Sequence, residues 1–172
     1  MLPGSEYQIR EAKNEDSSEI KRLVFSILKE YGLCPDLDTT DSDLLDIYKS
    51  YPGGGGYFVV IEKEKEIMGC AGIYRINESE CELRKMYLNP SIRGKGIGRL
   101  LLEKMISKAI SLGFNRMKLE TASILKEAIS LYIKYGFKQI ASEHIASRCD
   151  QVFELNLGEY VMTSNAGIQI SG

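Results

Sequence analysis

The sequence predicts an α/β protein built on a mixed, mostly antiparallel sheet with helices on both faces. Three observations carry that prediction. Apolar residues recur at helical spacing in some stretches and at strand spacing in others. Two β-rich runs, Tyr57 to Ile61 and Ile67 to Ile76, flank the charged turn Glu62 to Glu66 and read as an antiparallel hairpin. After Cys81 strands and helices alternate, which requires crossover connections and at least one parallel pair.

In chain order, Tyr7 to Ala12 reads as a first strand. Asn14, Asp16 or Ser17 can cap a helix whose face is Ile20, Leu23, Val24, Ile27 and Leu28, ended by Gly32. A loop with Pro35 follows, and Asp41 is placed to cap a short helix carrying Leu44, Leu45, Ile47 and Tyr48. Pro52 and Gly53 to Gly56 form a connector with little fixed shape of its own, or a lid. The hairpin comes next, then a strand over Glu80 to Leu88. From Gly96 to Leu112 the period turns helical, with Ile97, Leu101, Leu102, Met105, Ile106 and Ala109 on one broad apolar side, and Gly113 closes it. Asn115 to Glu120 is a short strand. Ile124, Ala128, Leu131, Tyr132 and Tyr135 mark a further amphipathic helix ended by Gly136. Phe137 to Ala141 and Gln151 to Leu157 are the last strands.

A chain of 172 residues fits one domain, here 1–158, followed by a loosely held tail over 159–172. A net charge of −2 gives no global attraction to nucleic acid or to an anionic membrane. No apolar run approaches the roughly 20 residues that span a bilayer. The opening MLPGSEYQIR lacks the apolar stretch of a secretory signal, so secretion is not expected and a cytoplasmic location is. Cys34, Cys70, Cys81 and Cys149 have no CxxC spacing, and His144 is the one histidine, so no metal site is expected. Cys70 and Cys81 lie in apolar strands and read as buried free thiols.

The chemistry concentrates where the strand ending Leu88-Asn89-Pro90 passes through Arg93-Gly94-Lys95-Gly96-Ile97-Gly98-Arg99 into the long helix. A tight glycine turn leaves peptide N–H groups bare, and the first four of a helix lack intrahelical partners. With the helix dipole, that makes a phosphate site. From Arg93 to Lys108 there are five basic residues and one acidic, Glu103, in a chain that is net acidic. The spacing is neither GxGxxG nor a Walker A loop, because Arg99 and Leu101 stand where a dinucleotide turn needs glycine and Gly96 follows Lys95.

The remaining pattern, RxxGxG after a strand and before an apolar helix, resembles the acyl-CoA signature of the GCN5-related N-acetyltransferase (GNAT) superfamily. Leu131-Tyr132-Ile133-Lys134-Tyr135-Gly136-Phe137 resembles that family's LYxKxGF element. The likeness covers the element order from about residue 7 to 157, and motif detail from 81 to 137. It implies the GNAT-like acyl-CoA N-acyltransferase fold and acetyl-CoA as cosubstrate, without metal. It places the cofactor diphosphate on the N–H groups of Lys95, Gly96, Ile97, Gly98 and Arg99, with Arg93 and Gly94 as the approach. It lays the pantetheine arm along Met86, Tyr87 and Leu88, in a cleft where Glu82–Leu88 and Asn115–Glu120 splay apart.

The implied reaction is direct attack of an amine on the thioester. An alkylammonium is mostly protonated at neutral pH, so a base must take its proton. Tyr132 is the expected acid toward the leaving thiolate, since a phenol is protonated at neutral pH; it also fits the helix's apolar stripe. Glu82 is the expected base or ammonium anchor, with a plain pair to Arg84 as its alternative, because alternation puts Glu82, Arg84 and Met86 on one face. Glu120 is its rival; Tyr135 reads as packing, Glu127 as a surface charge and His144 as a solvated loop residue. Many relatives carry asparagine where Leu125 stands, and Ser123, Lys126 or backbone would have to replace that contact. Asp36, Asp38, Asp41 and Asp43 would suit a cationic amine, or serve only capping and solubility. Three readings follow: an N-acetyltransferase acting on a small molecule or peptide, a non-catalytic acyl-CoA-binding sensor, and an interaction module. Relatives commonly form homodimers; no feature of this chain decides that point.

Overall fold

A computed structural model describes residues 6–142 and 145–160. The strands are β1 (Gln8–Glu11), β2 (Tyr57–Lys63), β3 (Glu66–Arg75), β4 (Glu80–Leu88), β5 (Arg116–Thr121), β6 (Lys138–Ile140) and β7 (Gln151–Asn156). The helices are α1 (Ser17–Glu30), α2 (Ile47–Ser50), α3 (Ile97–Ser111) and α4 (Lys126–Lys134). The seven strands form one sheet in the order β1-β2-β3-β4-β5-β7-β6. Among the described residues only β4 and β5 run parallel; the other neighbours are antiparallel.

Strand alternation divides the core into two layers. Val59, Ile61, Ala71, Ile73, Cys81 and Leu83 face α3 and α4. Phe58, Val60, Ile67 and Cys70 face α1 and α2. All five residues of the predicted α1 stripe are buried, each worth about 1.5–3 kcal/mol of transfer free energy. Cys70 and Cys81 are buried free thiols whose pKa burial pushes up to about 12.

Several elements depart from their expected form. Glu64 and Lys65, at φ 50° and 68°, make the two-residue hairpin turn between Lys63 and Glu66 without glycine. Asp41 caps nothing with its side chain; Asp46 does, accepting from Lys49 N–H at 2.9 Å. The short helix reduces to a 3₁₀ turn at Ser42–Leu44 and to α2, leaving Leu45 and Tyr48 exposed. The glycine connector is a packed turn, with Gly54 and Gly56 N–H both donating to Tyr51 O. A Cβ on Gly56 would lie 2.0 Å from Ile73 O, so glycine is required there by contact. Ile124 precedes α4 and is exposed. Near the C-terminal end, 157–160 forms a helical turn whose Tyr160 packs on the core; the rest of the expected tail lies outside the described residues, as does His144.

Two irregularities open the sheet at its centre. The first is the short β4–β5 ladder, which pairs only Glu80, Cys81 and Glu82 with Arg116, Met117 and Lys118. Beyond it the two strands no longer pair with each other, though each stays paired with its outer neighbour. The second is a bulge in β4, where the register to β3 shifts between Cys70 and Gly72 and Lys85 adopts φ 55°. The extra residue reverses the alternation. Tyr87 therefore packs toward α1 and α2 while Met86 and Leu88 pack with Leu83 on the α3 side. The expectation that Met86 shares a face with Glu82 and Arg84 fails at this bulge.

Candidate active site

The splay between β4 and β5 opens into a cavity of about 1010 Å³. Its walls are β4 from Glu82 to Leu88, the glycine turn, the end of β5, the inner side of α4, and segments 36–40 and 145–149.

At one end stands the turn. Pro90–Ile92 forms a 3₁₀ turn capped by Asn89, and Arg93 N–H closes it on Pro90 O. Gly94 and Gly96 then take φ of 72° and 77°, and Gly96 starts α3. A Cβ at either would meet nothing within 4 Å, so both face open space. Among the described residues, no carbonyl or side chain accepts from the N–H groups of Gly94, Lys95, Gly96, Ile97, Gly98 or Arg99. The first helical amide bond after the turn is Leu100 N–H to Gly96 O. Six bare donors in a row at a helix start form an anion cradle. Gly98 packs this helix end against the strand: a Cβ there would stand 3.3 Å from Leu88 Cδ1. Ile97 turns its side chain into the core and offers only its amide. Arg99 lies 4.0 Å from Glu103.

Arg93 lines the cavity, yet its guanidinium is engaged. Nε donates to Leu88 O at 2.9 Å, and both terminal nitrogens donate to the Glu30 carboxylate at 2.7 and 3.1 Å. It clasps α1 to the end of β4 and sets the mouth of the turn rather than extending toward a ligand.

Met86, Tyr87 and Leu88 form the wall beside the turn. Asn89 N–H donates to Met68 O at 2.8 Å, which leaves Leu88's own peptide groups pointing away from β3 and into the splay. Its carbonyl meets Arg93 there, and its N–H faces the cleft.

Tyr132 lines the same cavity, 6% exposed, with its ring 5.7 Å from that of Phe137. Its hydroxyl has no hydrogen-bond partner among the described residues. Burial, with Tyr87 nearby, pushes the phenol above its ordinary pKa, so it stays protonated. Tyr135 is buried and donates to Glu103, which makes it a packing residue.

Glu82 and Glu120 face the cavity from the two splayed strands. Glu82 accepts from Arg84 Nη2 at 2.6 Å, and that guanidinium lies 3.8 Å from the centroid of the Tyr74 ring. Glu120 has no cationic partner among the described residues. One oxygen accepts from Ala146 N–H at 2.9 Å, leaving the other open. Burial, with Glu120 and Glu82 close by, pushes the Cys149 thiol up to about 11. Leu125 lines the cavity at the start of α4. Ser123 cannot replace the absent asparagine, because its N–H and hydroxyl both bind Asp150 at 2.7 Å.

Two of the four carboxylates of the acidic loop, Asp41 and Asp43, are paired with cations. Asp41 is fully buried and receives Arg148 through two bonds of 2.6 and 2.7 Å, and Lys85 at 2.9 Å. Asp43 takes Tyr51 O–H at 2.5 Å and lies 3.2 Å from Lys85 Nζ. Asp36 is turned inward on Thr39 and on Asp38 N–H. Asp41 and Asp43 are therefore spent on internal ion pairs, while Asp36, on the cavity wall, has no cation beside it among the described residues. Sequence reasoning missed Lys85 and Arg148; the one available hint was Arg84-Lys85, two adjacent charges in an alternating strand. Among the described residues no group of three or more metal-ligating side chains gathers, and no helix is long and apolar enough to cross a membrane.

Comparison with known proteins agrees with this fold. Residues 22–137 match the family model of the Acetyltransferase (GNAT) family. Over 131 residues the chain is 40% identical to the uncharacterized N-acetyltransferase YjgM of Escherichia coli (strain K12), covering 73% of this chain and 78% of that protein. An acetyltransferase of the GNAT family from Staphylococcus aureus Mu50 superposes with TM-score 0.82 at 24% identity, covering 88% of this chain and 99% of the other. YncA from Salmonella typhimurium, solved with its cofactor acetyl-CoA, superposes with TM-score 0.70 at 21% identity, covering 89% and 95%. At these identities the two structures speak to the fold.

Proposed function

The chain belongs to the acetyltransferase (GNAT) family and is an acetyl-CoA-dependent N-acetyltransferase, and we propose that its acceptor is a primary amine of a small molecule or peptide. The observation that carries this reading is the row of six peptide N–H groups, unpartnered among the described residues, opening onto a cavity large enough for an extended cosubstrate. The fit is chemical as well as spatial. The amides of Lys95 to Arg99 suit a diphosphate, glycine at 94 and 96 lets it approach, and Met86 to Leu88 offer an edge for an amide-bearing arm. Acetyl-CoA, when bound, supplies an activated acyl thioester.

The chain's residues divide the remaining work. Tyr132, protonated and without a hydroxyl partner among the described residues, donates its hydroxyl proton toward the sulfur that leaves. The acceptor ammonium must lose a proton first, and Glu120 is the better placed of the two carboxylates to take it. Its open oxygen and lack of a cationic partner among the described residues favour it, while Glu82 is held by Arg84. Glu82 then keeps the Arg84 side of the wall in place. Segments 36–40 and 145–149 enclose the acceptor end. Glu120, with Asp36 on the facing segment, supplies the attraction for an ammonium.

Incubation of the full chain with acetyl-CoA and a panel of primary amines, with free thiol followed over time, tests this reading. Amine-dependent thiol release is expected. Tight binding of acetyl-CoA with no such release would instead favour the non-catalytic sensor, and absence of binding would remove the cosubstrate.

A further inference from the structure

We propose that Asp41 is a positioning residue that fixes the acceptor wall of the cleft by joining segment 36–40, the β4 bulge and segment 145–149. This rests on the reading above that those segments enclose the acceptor. Three pieces of chain far apart in sequence meet at this one carboxylate. Arg148 Nη1 and Nη2 reach Oδ2 and Oδ1 at 2.6 and 2.7 Å, Lys85 Nζ reaches Oδ1 at 2.9 Å, and Asp36 N–H reaches Oδ2 at 2.8 Å. Four donors fill the capacity of its two oxygens. The same lysine donates to Thr40 O at 2.8 Å and lies 3.2 Å from Asp43 Oδ1, so its ammonium is held among three partners.

The wall and the hub are separate. Asp36, Thr40, Lys85 and Arg148 all line the cavity, while Asp41 sits behind them with no exposure. Lys85 holds a left-handed backbone conformation that a non-glycine residue keeps only when its surroundings impose it. The bonds to its Nζ are that imposition, and the bulge is what turns β4 away from β5. Removing the charge at position 41 leaves Arg148 as a buried cation without its partner, so segment 145–149 must move to find water. The acceptor would then lose a shaped wall while the glycine turn beyond β4 keeps its amides.

The test uses Asp41→Asn, Arg148→Gln and the double variant in the full chain. Three quantities are read: hydrogen exchange by segment, acetyl-CoA affinity, and kcat/KM for the best amine of the panel. For Asp41→Asn, exchange is expected to rise about tenfold in both 36–44 and 145–150 and to stay unchanged in α3. Acetyl-CoA affinity should stay within about threefold, while kcat/KM for the amine falls about tenfold, mainly through KM. The double variant should recover most of that loss, because a neutral amide pair replaces a broken ion pair. Exchange changes confined to 36–44, equal losses for both substrates, or simply additive losses would overturn the proposal. Should Asp41→Asn fail to fold, Arg148→Lys decides: it keeps the charge but not the two-bond geometry, and an unaltered amine KM would refute the positioning role. A wild-type chain that acetylates no amine defeats the proposed function, whereas the exchange measurement still judges Asp41 independently.

Discussion

Gly96→Glu tests the cradle by adding a side chain and a charge where the backbone stands open. Gly96 has φ 77°, and a Cβ there would meet nothing within 4 Å, so the folded protein can hold the side chain. The cost in stability is the left-handed conformation, about 1–2 kcal/mol. In a chain of this length that lowers Tm by about 2–8 °C. The cost in binding is larger. At an effective dielectric of about 20, a carboxylate about 4–8 Å from one phosphate charge repels it by roughly 2–4 kcal/mol. That corresponds to a loss in acetyl-CoA affinity of about 30- to 1,000-fold. Gly113→Glu is the matched control: φ is 89°, the space is again open, and the site is the far end of α3. It should show the same fall in Tm with affinity unchanged. The assay is isothermal titration with acetyl-CoA beside thermal unfolding of both variants. Equal affinity for Gly96→Glu and Gly113→Glu would refute the diphosphate site.

Four further outcomes are expected. Tyr132→Phe should lower kcat by about 100-fold and leave acetyl-CoA affinity intact; steady-state kinetics with titration separate the two, and an unchanged kcat removes Tyr132 from the chemistry. Glu120→Gln should lower kcat by about 100-fold, and Glu82→Gln by less; the reverse order would return the proton to Glu82. Gly56→Ala should lower the urea midpoint by an amount worth about 1–3 kcal/mol with an unchanged slope, because a methyl group cannot share space with Ile73 O; full stability would contradict that contact. Burial opposes ionisation of Asp41, but Arg148 and Lys85 outweigh it and hold its pKa at about 2. A depressed carboxyl stabilises the fold above its unfolded pKa, so roughly 2 kcal/mol should be present above about pH 4 and lost as pH falls through about 2. Urea midpoints across that range, against the Asp41→Asn/Arg148→Gln protein, should converge at the acid end; a constant difference would contradict the pairing.

The parts of the fold that local pattern dictates were readable in advance. Strand β4 has the bounds its alternation predicted, and the stripe from Ile20 to Leu28 is buried as spaced. The glycine turn was readable because bare amides, positive φ and a helix start all follow from adjacent residues. What escaped depends on distance in sequence. Nothing near Asp41 announces Arg148, which is 107 residues away, so a buried ion pair looked like a cap. The bulge at Lys85 uses a residue with no preference for positive φ, and alternation carried past it misplaced Met86. Arg93 was expected to help form the approach to the turn, and its ties to Glu30 and Leu88 O come from parts of the chain that pattern alone does not bring together. Gly56 looked like slack because a close contact with Ile73 O leaves no mark in composition.

The central claim is that the amides of Gly94 to Arg99 hold the coenzyme A diphosphate, and their own N–H resonances report on it most directly. On titration with coenzyme A, the amide protons of Lys95, Gly96, Ile97, Gly98 and Arg99 should shift downfield in a saturable way, as donors do on meeting phosphate oxygen, while those of Gly32 and Gly113 stay still. Resonances in the turn that do not move while the cosubstrate binds would place it elsewhere and contradict the account.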